Sequence, residues 1–575
     1  MHSISHTSRA VKRFGALAVL VDCTTLEAAL HVHAHLIERP AAGQVELVPA
    51  AQTVLVRFNT AEQADAFMAA PDLPATSGDV RTHGQTATID VVYDGQDVTE
   101  VASLLGISQE AVVYAHTTGH WSVAFAGFAP GFFYLHRHDN VLDVPRRTTP
   151  RTAVPAGSVG LAGDFSGIYP RTSPGGWQLI GHTDAPLWDL GRETPALLEP
   201  GLQVQFRAVR ELVQVPEQSP EQGTAPSADS FSNGAPTLPP VLTVNSPGAL
   251  TLFQDPGRKG LTHWGVSPSG FADPAAAKEA NRLVGNLPGA TVLENLAGGL
   301  VLTSLEDTVL ALTGAKVTAT ISQPEGTQPD VGEQAEDPEP FTPLVARAYA
   351  PFALKAGQKL TLSSVKQGLR VYLAVRGGFA APFEAASSSR DTLASLGADP
   401  LTAGDQLQLA SLPTSVVGNP APSLPLPVAG ETLEIRVIPG PRDDWFTADS
   451  LARFGQLTWQ VSEASDRIGV RLLPAETPDT QTPLTRAITG ELPSEGMVPG
   501  AIQVPPSGEP VVFLADHPVT GGYPVIATVH PADLRLLAQS PSQTLIRFVT
   551  EMPQEPIEIT PQTLALPITK VQKHA

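Results

Sequence analysis

Residues 144–182 read VPRRTTPRTAVPAGSVGLAGDFSGIYPRTSPGGWQLIGH. Glycine and proline recur every few residues in this stretch, and short apolar runs lie between them. Because these two residues mark turns and such short runs form strands, the stretch predicts a succession of hairpins. The same punctuation extends along the chain, which has 49 glycines and 55 prolines in 575 residues. We therefore predict a mainly β protein.

The N-terminal 90 residues or so have a different pattern, in which strands alternate with helices. The apolar run 14–22 predicts a buried strand, and 45–58 carries two more strands. Helices are predicted at 24–38, where a threonine caps the first turn, and at 60–70, and a further strand at 87–93. This alternation predicts a small α+β sandwich.

Composition changes along the chain indicate where the domains end. The segment 213–240 is dense in Pro, Ser, Gln and Gly, so we predict a flexible linker. An acidic, proline-rich insertion at 321–343 is predicted to be a surface loop, and 411–430 to separate two barrels. The predicted units are 1–94 (α+β), 95–212 (β), 213–240 (linker), 241–425 (β), 426–553 (β) and 554–575 (tail).

Composition also limits the class of protein and its partners. Hydrophobic residues make up 42% and charged residues 16%, which is typical of a globular protein. A formal net charge of −21 argues against nucleic acid or an anionic membrane as the main partner. Cys23 is the single cysteine, no apolar run approaches a membrane span, and Asp22 ends the first apolar run too early for a signal peptide. We expect a cytoplasmic protein.

A short sequence repeat occurs on both sides of the linker. The stretch 175–181 (GGWQLIG) starts 20 residues after the pair Val154-Pro155, and 521–527 (GGYPVIA) starts 22 residues after Val498-Pro499. In both places a Val-Pro turn leads to Gly-Gly-aromatic-x-aliphatic-Ile. We therefore predict related β-domains on both sides of the linker.

The opening stretch also carries the first candidate binding residues. Arg146, Arg147 and Arg151 are three cations within six residues of an acidic protein, and arginines can clamp a carboxylate or a phosphate. Side chains for stacking and hydrogen bonding follow at Tyr169, Ser173, Trp177 and Gln178. The alternative is that several of these residues only shape barrel turns.

Long motifs in both halves resemble known families. GFAPGFFYL (127–135), with the opening stretch, resembles the B subunit of prokaryotic 5-oxoprolinase, the Kip inhibitor or allophanate-hydrolase-subunit-1 family. Residues 246–286, LENLAGGL (293–300), SDRIGVRL (465–472) and 494–527 resemble its partner C subunit, the allophanate-hydrolase-subunit-2 or biotin-dependent carboxyltransferase family.

The resemblance implies a ferredoxin-like subdomain followed by three cyclophilin-like β-barrels. It also implies ATP-dependent opening of 5-oxoproline to glutamate, with a separate A subunit of the LamB/YcsF-like family. Mg²⁺ is expected with ATP, and a homo-oligomer is compatible with the sequence. Two stretches depart from the family pattern: 516–523 reads DHPVTGGY where relatives usually have Asp-x-Gln-Thr-Thr-Gly-Gly-Tyr, and 388–392 reads SSRDT instead of Gly-Ser-Arg-Ser-Thr.

Such a reaction needs positively charged side chains that bind the phosphate, a group that binds the substrate carboxylate and a base that activates water. The candidate clamps in the C-terminal half are Arg258, Arg390, Arg467 and Arg471. The candidate bases or Mg²⁺ ligands are Asp255, Asp273, Glu495 and Asp516. Gln503 and Tyr523 are candidates to orient the amide. For two carboxylates a structural role is the alternative: Asp273 as a helix cap before Pro274, and Asp255 in a turn.

Two other functions stay open from the sequence. One is a different ATP-coupled amide or urea reaction of the allophanate type, because related modules occur fused to urea carboxylases. The other is a regulatory protein that inhibits a kinase, as is associated with the Kip inhibitor family. The union of two subunit-like halves favours a metabolic complex.

Overall fold

The computed structural model describes residues 10–74, 85–147, 149, 151–212, 239–323, 343–475 and 484–551. Nearly all of the predicted linker, most of the insertion and the predicted tail lie outside these residues. Within them the protein is mainly β with an α+β unit at the N-terminus, as predicted. No helix in the described part of the chain is long and apolar enough to cross a membrane.

The N-terminal α+β unit is a four-stranded antiparallel sheet covered by two helices. Its strands are Val11–Arg13, Ala18–Asp22, Gln44–Pro49 and Thr53–Phe58, and its helices are Leu26–Glu38 and Ala61–Ala69. Threonine caps both helices, Thr25 at the first and Thr60 at the second. The strand predicted at 87–93 was wrongly assigned to this unit, because Thr86–Val91 pairs in the next sheet.

The first barrel is a seven-stranded sheet whose edges are joined by a bridge between Val92 and His182. In sheet order its strands are Gln178–His182, Ser158–Ala162, Phe165–Ile168, Phe133–His136, Trp121–Ala126, Gln203–Ala208 and Thr86–Val91. Helices Val98–Leu105 and Gln109–Thr118 pack on it, and Arg151–Val154 pairs with Ser173–Gly175 beside it.

The second barrel is built from a six-stranded and a five-stranded sheet. The six strands are Leu344–Ala346, Ala319–Ser322, Lys359–Leu362, Leu300–Ser304, Pro240–Pro247 and Gln406–Gln408. The five strands are Leu250–Gln254, Val292–Leu296, Gln367–Val375, Thr308–Lys316 and Pro351–Leu354. Helix Pro274–Leu283 packs on the five-stranded sheet, and Thr262–Trp264 is a short 3₁₀ helix.

The third barrel is closed. In order around it, its strands are Thr432–Pro439, Val525–Val529, Ala501–Gln503, Val511–Phe513, Gly469–Pro474, Trp459–Val461 and Leu545–Thr550. Its helices are Ala448–Gln456 and Leu534–Ala538, with 3₁₀ helices Asp443–Trp445 and Pro531–Asp533. Glu495–Gly496 pairs with Thr520–Gly521 beside the barrel.

The first and third barrels are related in structure, as the sequence repeat on the two sides of the linker predicts. In each, the first strand pairs in parallel with the last. In each, a strand begins with a buried tryptophan whose indole N–H donates to a carbonyl five residues earlier: Trp121 at 3.0 Å and Trp459 at 3.2 Å. Each also has a two-stranded arm that ends on the first glycine of a Gly-Gly motif.

An apolar cluster joins the α+β unit to the third barrel. Phe14, Leu20 and Leu55 from the α+β unit pack with Met497 and Val525 of the third barrel, and all five are buried. Because these apolar side chains are buried against one another, they favour a fixed arrangement of the two halves, 10–212 and 239–551. We call them the N-terminal half and the C-terminal half.

Candidate functional site

Two of the residues predicted in the C-terminal half meet in a buried ionic network. The Arg467 guanidinium donates to both carboxylate oxygens of Asp516, each at 3.0 Å, and also to Glu294. All three side chains are buried, with residue exposures of 4% or less. Burial alone would raise the pKa of Asp516, but the Arg467 charge and hydrogen bonds from Ser269 and Thr392 hold it below its usual value.

A cavity of about 260 Å³ opens beside this network, between the second and third barrels. Four charged residues line it: Glu294, Arg370, Asp466 and Arg467. The remaining wall is mostly apolar and includes Leu296 and Ile468. We call this space the inter-barrel cavity. An apolar wall with a few convergent polar groups is the usual form of a small-molecule site.

A further carboxylate, Asp391, lies close to the same network. It is fully buried and accepts hydrogen bonds from Ser267 Oγ at 3.2 Å and Ala394 N–H at 2.7 Å. Burial, and then the negative charge of Asp516, raise the pKa of Asp391 to about 7. The folded protein therefore holds a proton here that the unfolded chain would release near its ordinary pKa of about 3.9.

Replacing Asp391 with asparagine is expected to improve stability relative to the wild type as the pH rises. A raised carboxyl pKa contributes stability that is present below about pH 4 and is lost as the pH rises through about 7. Asparagine does not titrate and keeps the acceptor for Ala394. Between pH 5 and pH 8 the difference in unfolding free energy should shift toward the variant by at least about 1 kcal/mol, close to the value of one pKa unit. Urea unfolding at both pH values measures it, and a constant difference would contradict the assignment.

Two of the predicted carboxylates have structural roles. Asp255 accepts from Ser387 Oγ at 2.6 Å, Ser388 N–H at 2.8 Å and Gly257 N–H at 2.8 Å, so it shapes a turn and anchors a loop. Asp273 caps helix Pro274–Leu283 by accepting from Ala276 N–H at 3.1 Å. These are the structural alternatives that the sequence left open.

The three clustered arginines of the N-terminal half divide into two groups. Arg147 and Arg151 both donate to Asp97, at 2.9 Å and 2.7 Å, and the Asp97 carboxylate also accepts from the N–H of Leu179. Asp97 is 3% exposed. These two cations therefore neutralise a buried carboxylate. They are less available to an external anion than the sequence suggested.

Arg146 instead points across to the C-terminal half. It donates to Ser494 Oγ at 3.2 Å, and Ser494 also bonds Tyr134 Oη at 2.8 Å. A Cβ added at Gly522 would lie 2.7 Å from the Arg146 guanidinium, so glycine allows this close approach. The Gly-Gly motif of one half and the arginine cluster of the other thus meet at the junction.

The other predicted residues of the N-terminal half are largely buried beneath the arginines. Tyr169, Trp177 and Gln178 are 1%, 5% and 2% exposed, and Ser173 is 8% exposed. Gln178 donates to the carbonyl of Pro145 at 3.2 Å. The tyrosine and tryptophan rings pack against Phe132, so their contribution is mainly to the aromatic core.

Glu495 belongs to a second ionic group, at the junction of the halves. Arg442 donates through Nε to Glu495 at 2.7 Å and through Nη1 to Asp22 at 3.1 Å. Burial raises the pKa of Glu495, and Arg442 partly offsets this. A cavity of about 310 Å³ lies beside the three side chains.

Of the remaining predicted residues, Arg258 lies near the buried network, where its charge acts on Asp391 and Asp516, and the others lie apart from these clusters. Arg390 contacts Gly397 and Asp399, at 2.8 Å and 3.1 Å. Gln503 donates to the carbonyl of Tyr523 at 3.0 Å. Arg258 is buried and donates to the carbonyl of Ser389 at 2.7 Å, whereas Arg471 is exposed on a strand of the third barrel.

The four predicted carboxylates do not fit a shared Mg²⁺ site. Asp255, Asp273 and Asp516 already accept several hydrogen bonds, and Glu495 is paired with Arg442 in a different place. In the described residues, the group of three or more potential ligand side chains that comes together is Glu27, His136 and His138. No step through Mg²⁺ follows from this structure.

Comparison with known proteins agrees with this architecture. Residues 264–550 match the carboxyltransferase domain, subdomain A and B, and residues 9–198 match the carboxyltransferase domain, subdomain C and D. The C subunit of the Escherichia coli K12 5-oxoprolinase is 34% identical over 322 residues, covering 54% of this chain and 91% of that protein. The chain belongs to the carboxyltransferase-domain family of 5-oxoprolinase subunits.

Different relatives are similar to the two halves of the chain. The B subunit of the Bacillus subtilis 5-oxoprolinase is 34% identical over 194 residues, covering 31% of this chain and 81% of that protein. The crystal structure of TTHA0988 has 33% identity and a TM-score of 0.74, covering 92% of this chain and 99% of that one. The chain thus joins a half similar to the B subunit and a half similar to the C subunit. The urea amidolyase of Saccharomyces cerevisiae is 30% identical over 338 residues, which is 17% of its length.

Several residues of these clusters were missed from the sequence. Glu294 lies in the LENLAGGL motif, but nothing in that motif pairs it with Arg467, 173 positions away. Asp97 and Asp22 show no local signal of a distant arginine partner. Only the fold brings these pairs together.

Proposed function

We propose that this chain supplies the B and C components of an ATP-dependent 5-oxoprolinase and acts with a separate A subunit of the LamB/YcsF-like family. The observation that carries the proposal is that its halves resemble two named subunits of one enzyme and pack through a buried apolar and ionic junction. A regulatory protein that needs only one barrel surface would not require this union.

The chemistry explains why ATP is needed. A five-membered lactam is a poor electrophile, so transfer of a phosphoryl group from ATP to the amide oxygen activates the ring carbon for attack by water. Cleavage of the C–N bond in the resulting adduct frees the amine and leaves an acyl phosphate. A second water hydrolyses the acyl phosphate to the carboxylate and free phosphate. Glutamate, ADP and phosphate are the products.

We assign the lactam to the inter-barrel cavity. Its volume of about 260 Å³ suits a small molecule. The leucine wall would cover the ring methylenes. Arg467 is already paired with Asp516 and Glu294. Arg370, 3.5 Å from Glu294, is therefore the candidate to attract the substrate carboxylate. In the N-terminal half, Arg146 is the one arginine of the cluster of three that does not pair with Asp97, and it donates to Ser494 at the junction of the halves.

The first experiment measures ADP release and glutamate formation from 5-oxoproline, with the purified chain alone and with an A subunit added. We expect glutamate only in the mixture. No glutamate from a folded chain with a competent A subunit would contradict the lactam assignment. A kinase-inhibition assay would then test the regulatory alternative.

Replacing Leu296 with phenylalanine should weaken substrate binding. The larger side chain would occupy part of the inter-barrel cavity, so we expect the KM for 5-oxoproline to rise about tenfold, equivalent to about 1.4 kcal/mol. Steady-state kinetics with the A subunit measure this change. Leu287, which is 56% exposed, provides a matched Leu-to-Phe control. Equal KM values in both variants would place the substrate elsewhere.

A urea-type carboxyltransferase reaction is the second candidate, favoured by the similarity to urea amidolyase. It predicts turnover that depends on urea and a biotinylated partner, instead of 5-oxoproline. Assays with both substrates under the same conditions separate the two functions.

A further inference from the structure

A group of metal-ligating side chains lies away from both clusters described above. One potential ligand atom from each of Glu27, His136 and His138 lies within 4.8 Å of the others. The Nδ1 atom of His138 is 3.7 Å from Glu27 Oε1. Asp164 lies outside this group of three but contacts one member, with its Oδ2 atom 3.2 Å from His136 Nε2.

The fold accounts for this arrangement. His136 ends strand Phe133–His136, and His138 follows two positions later. Arg137, between them, turns away and donates to the carbonyl of Ala115. Glu27 lies in the first turn of helix Leu26–Glu38, so the α+β unit and the first barrel both contribute.

The distances are close to those of a bound ion. Zinc lies about 2.0–2.2 Å from nitrogen and oxygen ligands, so ligands of a tetrahedral site are roughly 3.3–3.6 Å apart. The Glu27–His138 pair at 3.7 Å is close to this spacing, and the ligand atoms of all three side chains lie within 4.8 Å of one another, so small side-chain movements would bring them to it. Imidazole with carboxylate favours Zn²⁺ and similar transition ions over Mg²⁺.

We propose that Glu27, His136 and His138, with Asp164 beside them, form a site for a divalent transition metal of the Zn²⁺ class. The ion links the α+β unit to the first barrel. The site is separate from the proposed oxoprolinase function, and its occupancy is independent of substrate.

The test uses the full chain without a polyhistidine tag and measures Zn²⁺ binding by calorimetry and Co²⁺ binding by absorption. His138 is exposed, so His138→Asn should leave the fold intact. We expect Zn²⁺ to raise the melting temperature of the wild type and His138→Asn to weaken binding at least tenfold.

His182→Asn is the matched control, since the His182 side chain is about half exposed and pairs with a single carboxylate, Asp94, at 2.7 Å. It should bind Zn²⁺ as the wild type does. No binding by the wild type, equal binding by wild type and His138→Asn, or loss of binding in His182→Asn alone would each overturn the proposal. Glu27→Gln provides a second variant, expected to weaken binding in the same direction.

Discussion

Replacing Arg467 with methionine is expected to lower the free energy of unfolding by about 3–5 kcal/mol. The guanidinium pairs with Asp516 and Glu294 where all three side chains are buried. Methionine fills similar space but removes the cation paired with Asp516 and one of the two cations near Glu294, the other being Arg370 at 3.5 Å. The cost is that of an uncompensated buried charge. Urea unfolding followed by tryptophan fluorescence measures it.

An exposed arginine gives the control. Arg547 pairs with Glu434 on the surface, both about half exposed, so Arg547→Met should change the free energy by no more than about 0.5 kcal/mol. Adding Asp516→Asn to Arg467→Met should recover part of the loss, because one unpaired charge is removed. Equal effects of Arg467→Met and Arg547→Met, or a double variant that is less stable still, would contradict this account.

Local patterns indicated the structural roles of two carboxylates as alternatives to the catalytic roles for which they were candidates. Asp273 before Pro274 was recognisable as a helix cap, and Asp255 before Pro-Gly as a turn residue, because such roles depend on neighbours in sequence. The repeated Gly-Gly motif likewise indicated two related barrels, and the structure places the start of each motif in an arm of its own barrel.

Contacts between segments that are distant along the chain could not be predicted from the sequence. Thr86–Val91 follows the α+β unit along the chain, yet pairs in parallel with Gln203–Ala208, more than a hundred residues later. The arginine cluster predicted an anion clamp, but Asp97, 50 and 54 residues away from its partners, neutralises two of its members. Spacing carries no information about such pairs, because the fold alone sets their distance.

Replacing Arg442 with methionine is expected to destabilise the junction of the halves by about 2–3 kcal/mol. Arg442 donates hydrogen bonds to Asp22 of the N-terminal half and to Glu495 of the C-terminal half. These two residues lie 420 and 53 positions from Arg442 along the chain. The effect should be smaller than for Arg467, because the Asp22 side chain is 26% exposed and water can partly replace the lost partner. Hydrogen exchange should increase in Ala18–Asp22 and Glu495–Gly496.

Lys12→Met is the matched control at the same junction. Lys12 is 3.0 Å from Asp444 and 3.7 Å from Asp22, but its side chain is 28% exposed, so its loss should cost less than about 1 kcal/mol. If Arg442→Met and Lys12→Met were equally mild, the ionic bridge would contribute little and the apolar cluster of Phe14 and Met497 would hold the halves together. A larger effect of Arg442→Met, confined to exchange at the junction, would show that the buried charge pairs fix how the halves meet.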